Sequence, residues 1–181
     1  MRALRQVVDT LRVLSRARRN RLDLLRALGR RPQLLIGTGM YELGIALSAR
    51  VDMRLKIVAE LKVAALVTCE FCLDIGSEIA RASGLTEHQL RELPRYRTSP
   101  VFDDDQRLVM ELAEAMTVVP ATIDDDLKAR LAARFTPAQR TELASVIACE
   151  NQRARLNQAL SIRPSGFSDG QFCALPEPAS A

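Results

Sequence analysis

The 181-residue sequence has no tryptophan, a single histidine and only 4% aromatic residues. This scarcity disfavours a protein built mainly of strands, in which aromatic residues are enriched. The chain also has no internal repeat and no glycine-rich loop of the kind that cradles phosphates. The abundant residues are Ala, Leu and Arg, which are good helix formers. We therefore predict an all-α protein.

Long, uninterrupted apolar runs are also missing. No apolar segment near the N-terminus precedes a small-residue cleavage site, which argues against a secretory signal. The most apolar long stretch, residues 34–51, is interrupted by Glu42 and by glycines, a pattern more typical of a buried helix than of a membrane span. We expect a soluble, cytoplasmic protein that does not enter membranes.

Helical periodicity recurs along the chain, and Gly, Pro and capping residues divide it into seven or eight segments. The main predicted helices cover roughly residues 4–28, 33–49, 53–67, 69–82, 103–116, 125–133 and 137–160, with a short helix after Thr86. A chain of this length, 48% hydrophobic, suits one domain. We predict a single helical domain over residues 1–163 and an irregular tail over 164–181, draped or disordered and rich in Gly, Pro and Ser.

Positive charge is concentrated at the N-terminus. Residues 1–31 contain ten Arg and two Asp, whereas the rest of the chain is mildly acidic and the net charge is +4. Such a basic arm can contact nucleic acid or anionic lipid. The arginines recur mostly opposite leucines at helical spacing, however, which favours a solvated helix face. We do not expect nucleic acid to be the main partner.

The most informative motif is the C-x-x-C sequence formed by Cys69 and Cys72. Two thiols at this spacing meet at one helical turn and can form a disulfide or share a metal. A helix N-terminus stabilises a thiolate, and a sulfenic acid formed on one cysteine can be captured by the other. Redox chemistry is therefore the first hypothesis. The pair can also be ordinary core residues, since free cysteine is often buried.

Zinc is a further alternative for the cysteine pair. A structural zinc site needs four ligands, and the other candidates are Cys149, Cys173 and His88. They are scattered singly, without a second C-x-x-C, so we expect no metal and no organic cofactor. His88 follows the cap Thr86 and is expected at the surface, with a reserve role as proton donor. Cys149 is expected in the core and Cys173 in the tail.

The segment VAALVTCEFCLDIGSEIARASGL resembles the alkylhydroperoxidase D-like branch of the carboxymuconolactone decarboxylase superfamily. The resemblance implies a helical fold around a buried C-x-x-C, association into homo-oligomers, and a dithiol or lipoyl-type reductant. It also implies that Cys72 is the peroxidatic cysteine, which attacks the peroxide, and that Cys69 is the resolving cysteine. The function implied is reduction of a hydroperoxide.

The sequence departs from this family pattern at two positions of the proton relay. Gly76 stands where the family has a histidine, and Ile57 stands where it has a glutamate. Glu60 lies one helical turn after Ile57, so we predict it as the substitute carboxylate. Gly76 either leaves space beside the sulfur for a substrate or permits a close helix crossing.

The other acidic residues near the pair, Glu70, Asp74 and Glu78, are weaker candidates for the missing carboxylate. Asp74 and Glu78 lie far around the helix from Cys72, which favours solvated positions for them. The polar run over residues 150–157 is explained by salt bridges on a helix surface or by a subunit contact. The aspartates at 103–105 and 124–126 stand where helices are expected to begin, so they suit helix capping rather than cation binding.

The sequence thus predicts a thiol-dependent peroxidase that uses Cys72, Cys69 and Glu60. Two alternatives stay open because the usual relay is missing. One is a C-x-x-C thiol-disulfide oxidoreductase without peroxidase activity. The other is a redox-switched interaction protein whose basic arm contacts a partner. Lactone decarboxylation is less attractive, because it would leave the cysteine pair unused.

Overall fold

The computed structural model describes residues 8, 12–20 and 22–177, and every regular element in them is helical. The α-helices are α1 (Asp23–Gly29), α2 (Pro32–Leu47), α3 (Met53–Val67), α4 (Glu70–Ala82), α5 (Glu87–Glu92), α6 (Asp104–Thr117), α7 (Asp125–Arg134) and α8 (Pro137–Ala159), and a 3₁₀ turn, Leu93–Arg95, follows α5. The prediction of an all-α fold is confirmed.

Helix α3 is the centre of the molecule and packs against α4, α6 and α8. Nine of its residues are buried, as expected for a helix that is surrounded by others. Asp52 caps its start, with a side chain that accepts a hydrogen bond from the Arg54 N–H at 2.9 Å, and Thr68 caps its end in a left-handed conformation with φ of 60°. The chain therefore turns sharply just before Cys69 and enters α4.

Local capping signals place several helix starts. Thr86, Asp103 and Thr136 each form a capping box with the Gln three residues later, and the side chain of Asp124 accepts a hydrogen bond from the Leu127 N–H. These bonds satisfy backbone donors that a helix leaves free in its first turn. The predicted capping roles of both aspartate clusters are confirmed at Asp103 and Asp124.

The predicted continuous helix over residues 4–28 is wrong within the described residues. Residues 12–15 are helical, but the helix does not continue to α1, and Asn20 has a positive φ of 52°. The backbone N–H groups of Arg18 and Arg19 donate to the carbonyl of Ser165 instead. A contact with a distant part of the chain thus competes with the helix. Residues 4–7, 9–11 and 21 lie outside the described residues.

Residues 164–177, here called the C-terminal strap, contain no helix and lie against α3 and α4. One carboxylate, that of Asp74, accepts four backbone N–H groups of the strap, from residues 165–168, at 2.8–3.1 Å. Farther along, the Ala174 N–H donates to Ser77, and Glu177 forms an ion pair with Lys62 at 2.6 Å. The described strap is therefore draped over the helices. The division into a domain over 1–163 and a tail stays a prediction.

Among the helices of the described residues, none combines the length and the apolar character that crossing a bilayer requires.

Candidate active site

The two cysteines of the motif stand at the first turn of α4 and form a disulfide, with their Cα atoms 5.3 Å apart. Cys69 is the N-cap of the helix, and its Sγ accepts a hydrogen bond from the Cys72 N–H at 3.2 Å. Both residues are buried. Free backbone N–H groups at a helix start favour negative charge, so the position suits thiolate chemistry.

A cavity of about 460 Å³ adjoins Cys72. Most of its walls are apolar, formed by the side chains of Leu14, Leu24, Leu28, Leu43, Ile45, Met53, Ile57, Leu61, Phe71, Ile75, Ile79, Val146 and Leu156. Leu14 and Leu43 are about half exposed. The cavity therefore reaches the surface between α2 and residues 12–20, here called the N-terminal segment. Cys72 borders the cavity, whereas Cys69 is not among its lining residues. A molecule in the cavity therefore meets Cys72.

Glu60 lines the same cavity as Cys72 and belongs to a charged cluster. Arg153 of α8 is the centre of this cluster. Its guanidinium donates two hydrogen bonds to Glu42, at 2.9 and 3.0 Å, and one to Glu150 at 2.5 Å, and it lies 3.5 Å from Glu60. One arginine is thus shared by three carboxyl groups. The Glu60 side chain is 13% exposed and that of Glu150 only 3%.

Burial makes two of these carboxyl groups hold their protons unusually tightly. Loss of solvation raises the pKa of Glu150 to about 8, against the opposing attraction of Arg153. Loss of solvation also raises the pKa of Glu60, again opposed by Arg153. The cause is that an ionised carboxylate is costly in a dry environment. Glu150 is therefore able to hold and release a proton near neutral pH, and the pKa of Glu60 is shifted in the same direction.

The two positions that depart from the family pattern are both near the cysteines. Ile57 is buried and lines the cavity, one turn from Glu60. A Cβ on Gly76 would lie 2.9 Å from Cδ2 of Leu61, so the end of the Leu61 side chain on α3 would have to shift to admit a side chain at residue 76. This contact favours the helix-crossing explanation of Gly76, although Gly76 also borders the cavity.

The expectation that Asp74 and Glu78 are solvated is wrong. Asp74 is 6% exposed because it binds the strap, and Glu78 is 3% exposed because it pairs with Arg16 and Arg81. Both groups are occupied by structural partners, which is why they are buried on the side of α4 that packs against the strap and the N-terminal segment. Glu70 is exposed in the first turn of α4.

The remaining predicted residues lie in different places. His88 is exposed on α5 and does not line the cavity. Cys149 is buried, as expected, and burial raises the pKa of its thiol to about 11. Cys173 lies in the strap, 3.8 Å from the hydroxyl of Ser77. In the described part of the chain, no group of three His, Cys, Asp or Glu side chains is arranged to hold a metal ion.

Sequence reasoning missed three residues of α8 that line the cavity. Glu150, Arg153 and Asn157 were attributed to a helix surface or a subunit contact, but Glu150 and Asn157 are buried. The Nδ2 group of Asn157 donates to the Sγ of Cys72 at 3.6 Å. Their spacing of three, four and seven residues, which places side chains on one helical face, was the available signal.

Comparison with known proteins supports this description. Residues 34–115 match the model of the carboxymuconolactone decarboxylase family. The chain is 38% identical over 127 residues to YnjA, an uncharacterized protein of Escherichia coli strain K12; the match covers 70% of this chain and 66% of YnjA, slightly less than two thirds of its length.

Two solved structures share the fold. ATU0492 of Agrobacterium tumefaciens, a protein of unknown function provisionally assigned to antioxidant defence as AhpD, has a TM-score of 0.71 at 20% identity, with 76% of this chain and 94% of that one covered. The debrominase Bmp8 has a TM-score of 0.70 at 21% identity, with 77% and 75% covered. At these identities the likeness concerns the fold. The family match over residues 34–115 supports the carboxymuconolactone decarboxylase superfamily, and the chain has an all-helical, alkylhydroperoxidase D-like fold with a disulfide in its C-x-x-C motif.

Proposed function

We propose that the protein is a thiol-dependent hydroperoxide reductase that uses Cys72 and Cys69. The observation that carries the proposal is the position of Cys72, which is joined to Cys69 and borders a largely apolar cavity that also contains carboxyl groups of raised pKa. The disulfide corresponds to the oxidised form of such an enzyme. That a debrominase shares this fold indicates that the fold serves more than one reaction.

The proposed cycle has three steps. The thiolate of Cys72 attacks the terminal oxygen of a hydroperoxide, the O–O bond breaks, and Cys72 becomes a sulfenic acid. The thiol of Cys69 then attacks the Cys72 sulfur, which releases water and forms the disulfide. A dithiol or lipoyl-type donor reduces the disulfide and returns both thiols. The opening of the cavity beside Cys72, and not beside Cys69, supports this division of roles.

In this proposal Glu60 supplies the proton that the departing alkoxide needs. A neutral carboxyl group can give a proton at neutral pH only if its pKa is raised, and burial raises the pKa of Glu60. Glu60 also shares Arg153 with Glu150, so the two acids are electrostatically linked. The proton that Cys72 loses can therefore be held in the cluster until the alkoxide forms.

The cavity suits an organic hydroperoxide better than hydrogen peroxide. Its volume is about 460 Å³ and its walls are mainly Leu, Ile and Phe side chains, which favour binding of an apolar group. A cycle that needs reduced thiols also suits a reducing compartment, and this supports a location in the cytoplasm.

Association into a homo-oligomer is part of the proposal. Helix α2 has no buried residue, and Ile36, Met40, Leu43 and Leu47 form one exposed stripe along it. Each of these side chains is at least 54% exposed. An apolar stripe of this length on a monomer is typical of an interface, and a second copy covering it would also cover the wall of the cavity to which Leu43 belongs.

Hydroperoxide consumption in the presence of a dithiol donor tests the function. The wild type is expected to turn over, whereas Cys72→Ser is expected to be inactive. Disulfide exchange with the donor, without loss of peroxide, would contradict the peroxidase and favour the alternative of a thiol-disulfide oxidoreductase. Retarded migration of nucleic acid that is lost when residues 1–31 are removed would instead support the redox-switched interaction protein.

A further inference from the structure

Asn157 is an amide buried against the reactive sulfur. It is 1% exposed, and its Nδ2 donates to the Sγ of Cys72 at 3.6 Å. Its Oδ1 is also buried, yet it has no hydrogen-bond partner within the described residues. An acceptor left unpaired in a buried place is costly, so its presence calls for a specific explanation such as a catalytic role or a bound partner that donates to it. Asn157 lines the cavity, so the missing donor would come from a molecule bound there.

We propose that Asn157 positions both reactants of the peroxidase step, with Nδ2 donating to the thiolate of Cys72 and Oδ1 accepting the O–H of the hydroperoxide. This inference rests on the proposed function. A hydroperoxide carries its single donor on the terminal oxygen, which is the oxygen that a thiolate attacks. Because one amide holds both groups, the attacked oxygen is placed next to the sulfur.

The step balances without a further reactant. Cys72 first gives its thiol proton to the carboxylate of Glu60, while Glu150 keeps its own proton. The sulfur then forms a bond to the terminal oxygen, the O–O bond breaks, and the alkoxide takes the proton back as an alcohol. Cys72 is oxidised to the sulfenic acid, and the hydroperoxide is reduced. The sulfenic O–H keeps its hydrogen bond to the Oδ1 of Asn157 until Cys69 attacks.

The surroundings explain why an amide serves here. The family histidine would stand at Gly76, but the Leu61 side chain lies 2.9 Å from where its Cβ would be. Asn157 instead approaches the sulfur from α8, on the same helical face as Arg153 and Glu150. An amide cannot relay a proton. In this chain Asn157 therefore orients the reactants, and the carboxyl group of Glu60 holds the proton that the family histidine would relay.

The test compares Asn157→Leu and Asn157→Asp in the reduced protein. The Leu variant removes donor and acceptor, whereas the Asp variant keeps an acceptor but adds negative charge beside the sulfur. Asn151→Asp is the matched control, because Asn151 lies on α8 with its amide bonded to Thr117 and the Ile147 carbonyl, away from the cavity.

The first readout is the pH dependence of iodoacetamide alkylation of Cys72, in a Cys69→Ser background and followed by peptide mass spectrometry. We expect alkylation at pH 7 to slow about tenfold in Asn157→Leu, corresponding to one unit of thiol pKa, and further in Asn157→Asp. Asn151→Asp is expected to match its parent. Unchanged profiles in both Asn157 variants would overturn the thiolate contact. If the Leu variant does not fold, the Asp variant decides.

The second readout is the kinetics of cumene hydroperoxide reduction with a dithiol donor. Asn157→Leu is expected to raise KM about tenfold and to lower kcat, whereas Asn157→Asp lowers kcat with little change in KM because the acceptor is kept. Equal KM values in the wild type and Asn157→Leu would overturn the hydroperoxide contact. The alkylation assay uses no peroxide. If the wild type consumes no peroxide, the proposed function and the hydroperoxide contact therefore both fail, while the thiolate contact is still judged by alkylation.

Discussion

At the scale of the residue, the unusual feature is one arginine surrounded by three carboxyl groups. If Glu60 and Glu150 were both ionised beside Glu42, the positive charges of Arg153 and of Lys56, which also pairs with Glu142, would not balance the excess negative charge of the carboxylates, and Glu60 and Glu150 are largely buried. Such an excess is relieved when a carboxyl group takes up a proton. The Oε1 of Glu150 has no hydrogen-bond partner in the described part of the chain, and loss of solvation raises the pKa of Glu150 to about 8. We therefore regard Glu150 as the group that stays protonated at neutral pH, which leaves Glu60 to exchange the proton of the reaction.

This proton makes stability depend on pH in a defined direction. The pKa of Glu150 is about 8 in the folded protein, against 4.5 for a glutamate in an unfolded chain. Between pH 4.5 and pH 8 the folded protein therefore binds more protons than the unfolded one. The stabilisation is complete below pH 4.5 and is lost as the pH rises through 8. We expect the free energy of unfolding to fall across this window, by at most 2.303RT, about 1.4 kcal/mol, per pH unit from this group.

Denaturant unfolding at pH 5, 6, 7 and 8 measures the effect. Glu150→Gln, which resembles the protonated acid, is expected to reduce the slope, whereas Glu87→Gln on the exposed face of α5 is expected to leave it unchanged. A slope that Glu150→Gln leaves intact would assign the tightly held proton to another group.

The same scale shows what the sequence could and could not predict of the site. The C-x-x-C pair was predictable because it is local to one helical turn, and Glu60 because it is one turn from a known family position. Asn157 and Glu150 were not predicted, since they are 85 and 78 residues from Cys72 along the chain. Which face of α8 meets the cavity depends on how the helices pack, and a polar run alone does not define that face.

At the scale of the element, the strap holds α4 in place. Asp74 binds four consecutive backbone N–H groups of the strap. Phe167 of the strap packs edge-on against Phe71, a wall of the cavity, with ring centres 6.4 Å apart. Gly166 has a φ of 73°, a backbone conformation that residues other than glycine rarely adopt. The strap therefore supports the helix that carries both cysteines.

Asp74→Asn tests this support. The amide places an N–H group among backbone donors and removes the charge, so we expect a loss of about 3 kcal/mol in the free energy of unfolding and faster proteolysis of the strap. Asp169→Asn is the matched control, because Asp169 lies in the strap and forms only a partly exposed pair with Arg19; its effect should stay below about 1 kcal/mol. Equal losses in the two variants would contradict a special role for Asp74.

Elements differed in how far the sequence predicted them. The bounds of α3, α7 and α8 were predicted within a residue or two because caps such as Asp124 and Thr136 act on their own helix. The interruption after residue 15 and the course of the strap were not predicted. Both depend on bonds between the two ends of the chain, such as that of Asn20 with the Pro164 carbonyl, which no local pattern indicates.

At the scale of the whole molecule, the open question is what covers α2. The helix lies outside the core, contacting α1 and α8, and its exposed apolar stripe begins at Ile36 and ends at Leu47. Exposure of such a stripe to water is unfavourable by about 25 cal/mol per Å² of apolar surface. Association with a second copy would remove this cost.

Met40→Glu is expected to disrupt that association, because Met40 is 70% exposed in the middle of the stripe and burying an unpaired carboxylate is costly. Light scattering coupled to size-exclusion chromatography should show a smaller species than the wild type. Gln33→Glu, an exposed change near the start of the same helix, is the control and should retain the wild-type mass. A wild type that is monomeric at micromolar concentration would contradict the proposed oligomer.

The central claim is that Cys72 reduces a hydroperoxide and Cys69 resolves the product. The most direct measurement is peroxide loss in a single turnover, with pre-reduced protein, cumene hydroperoxide and no donor. We expect the wild type to consume about one equivalent and to end as the Cys69–Cys72 disulfide, and Cys69→Ser to consume about one equivalent and to leave a sulfenic acid on Cys72 that dimedone traps. Cys72→Ser should consume none above background. Equal consumption by all three proteins, or by none, would contradict the account.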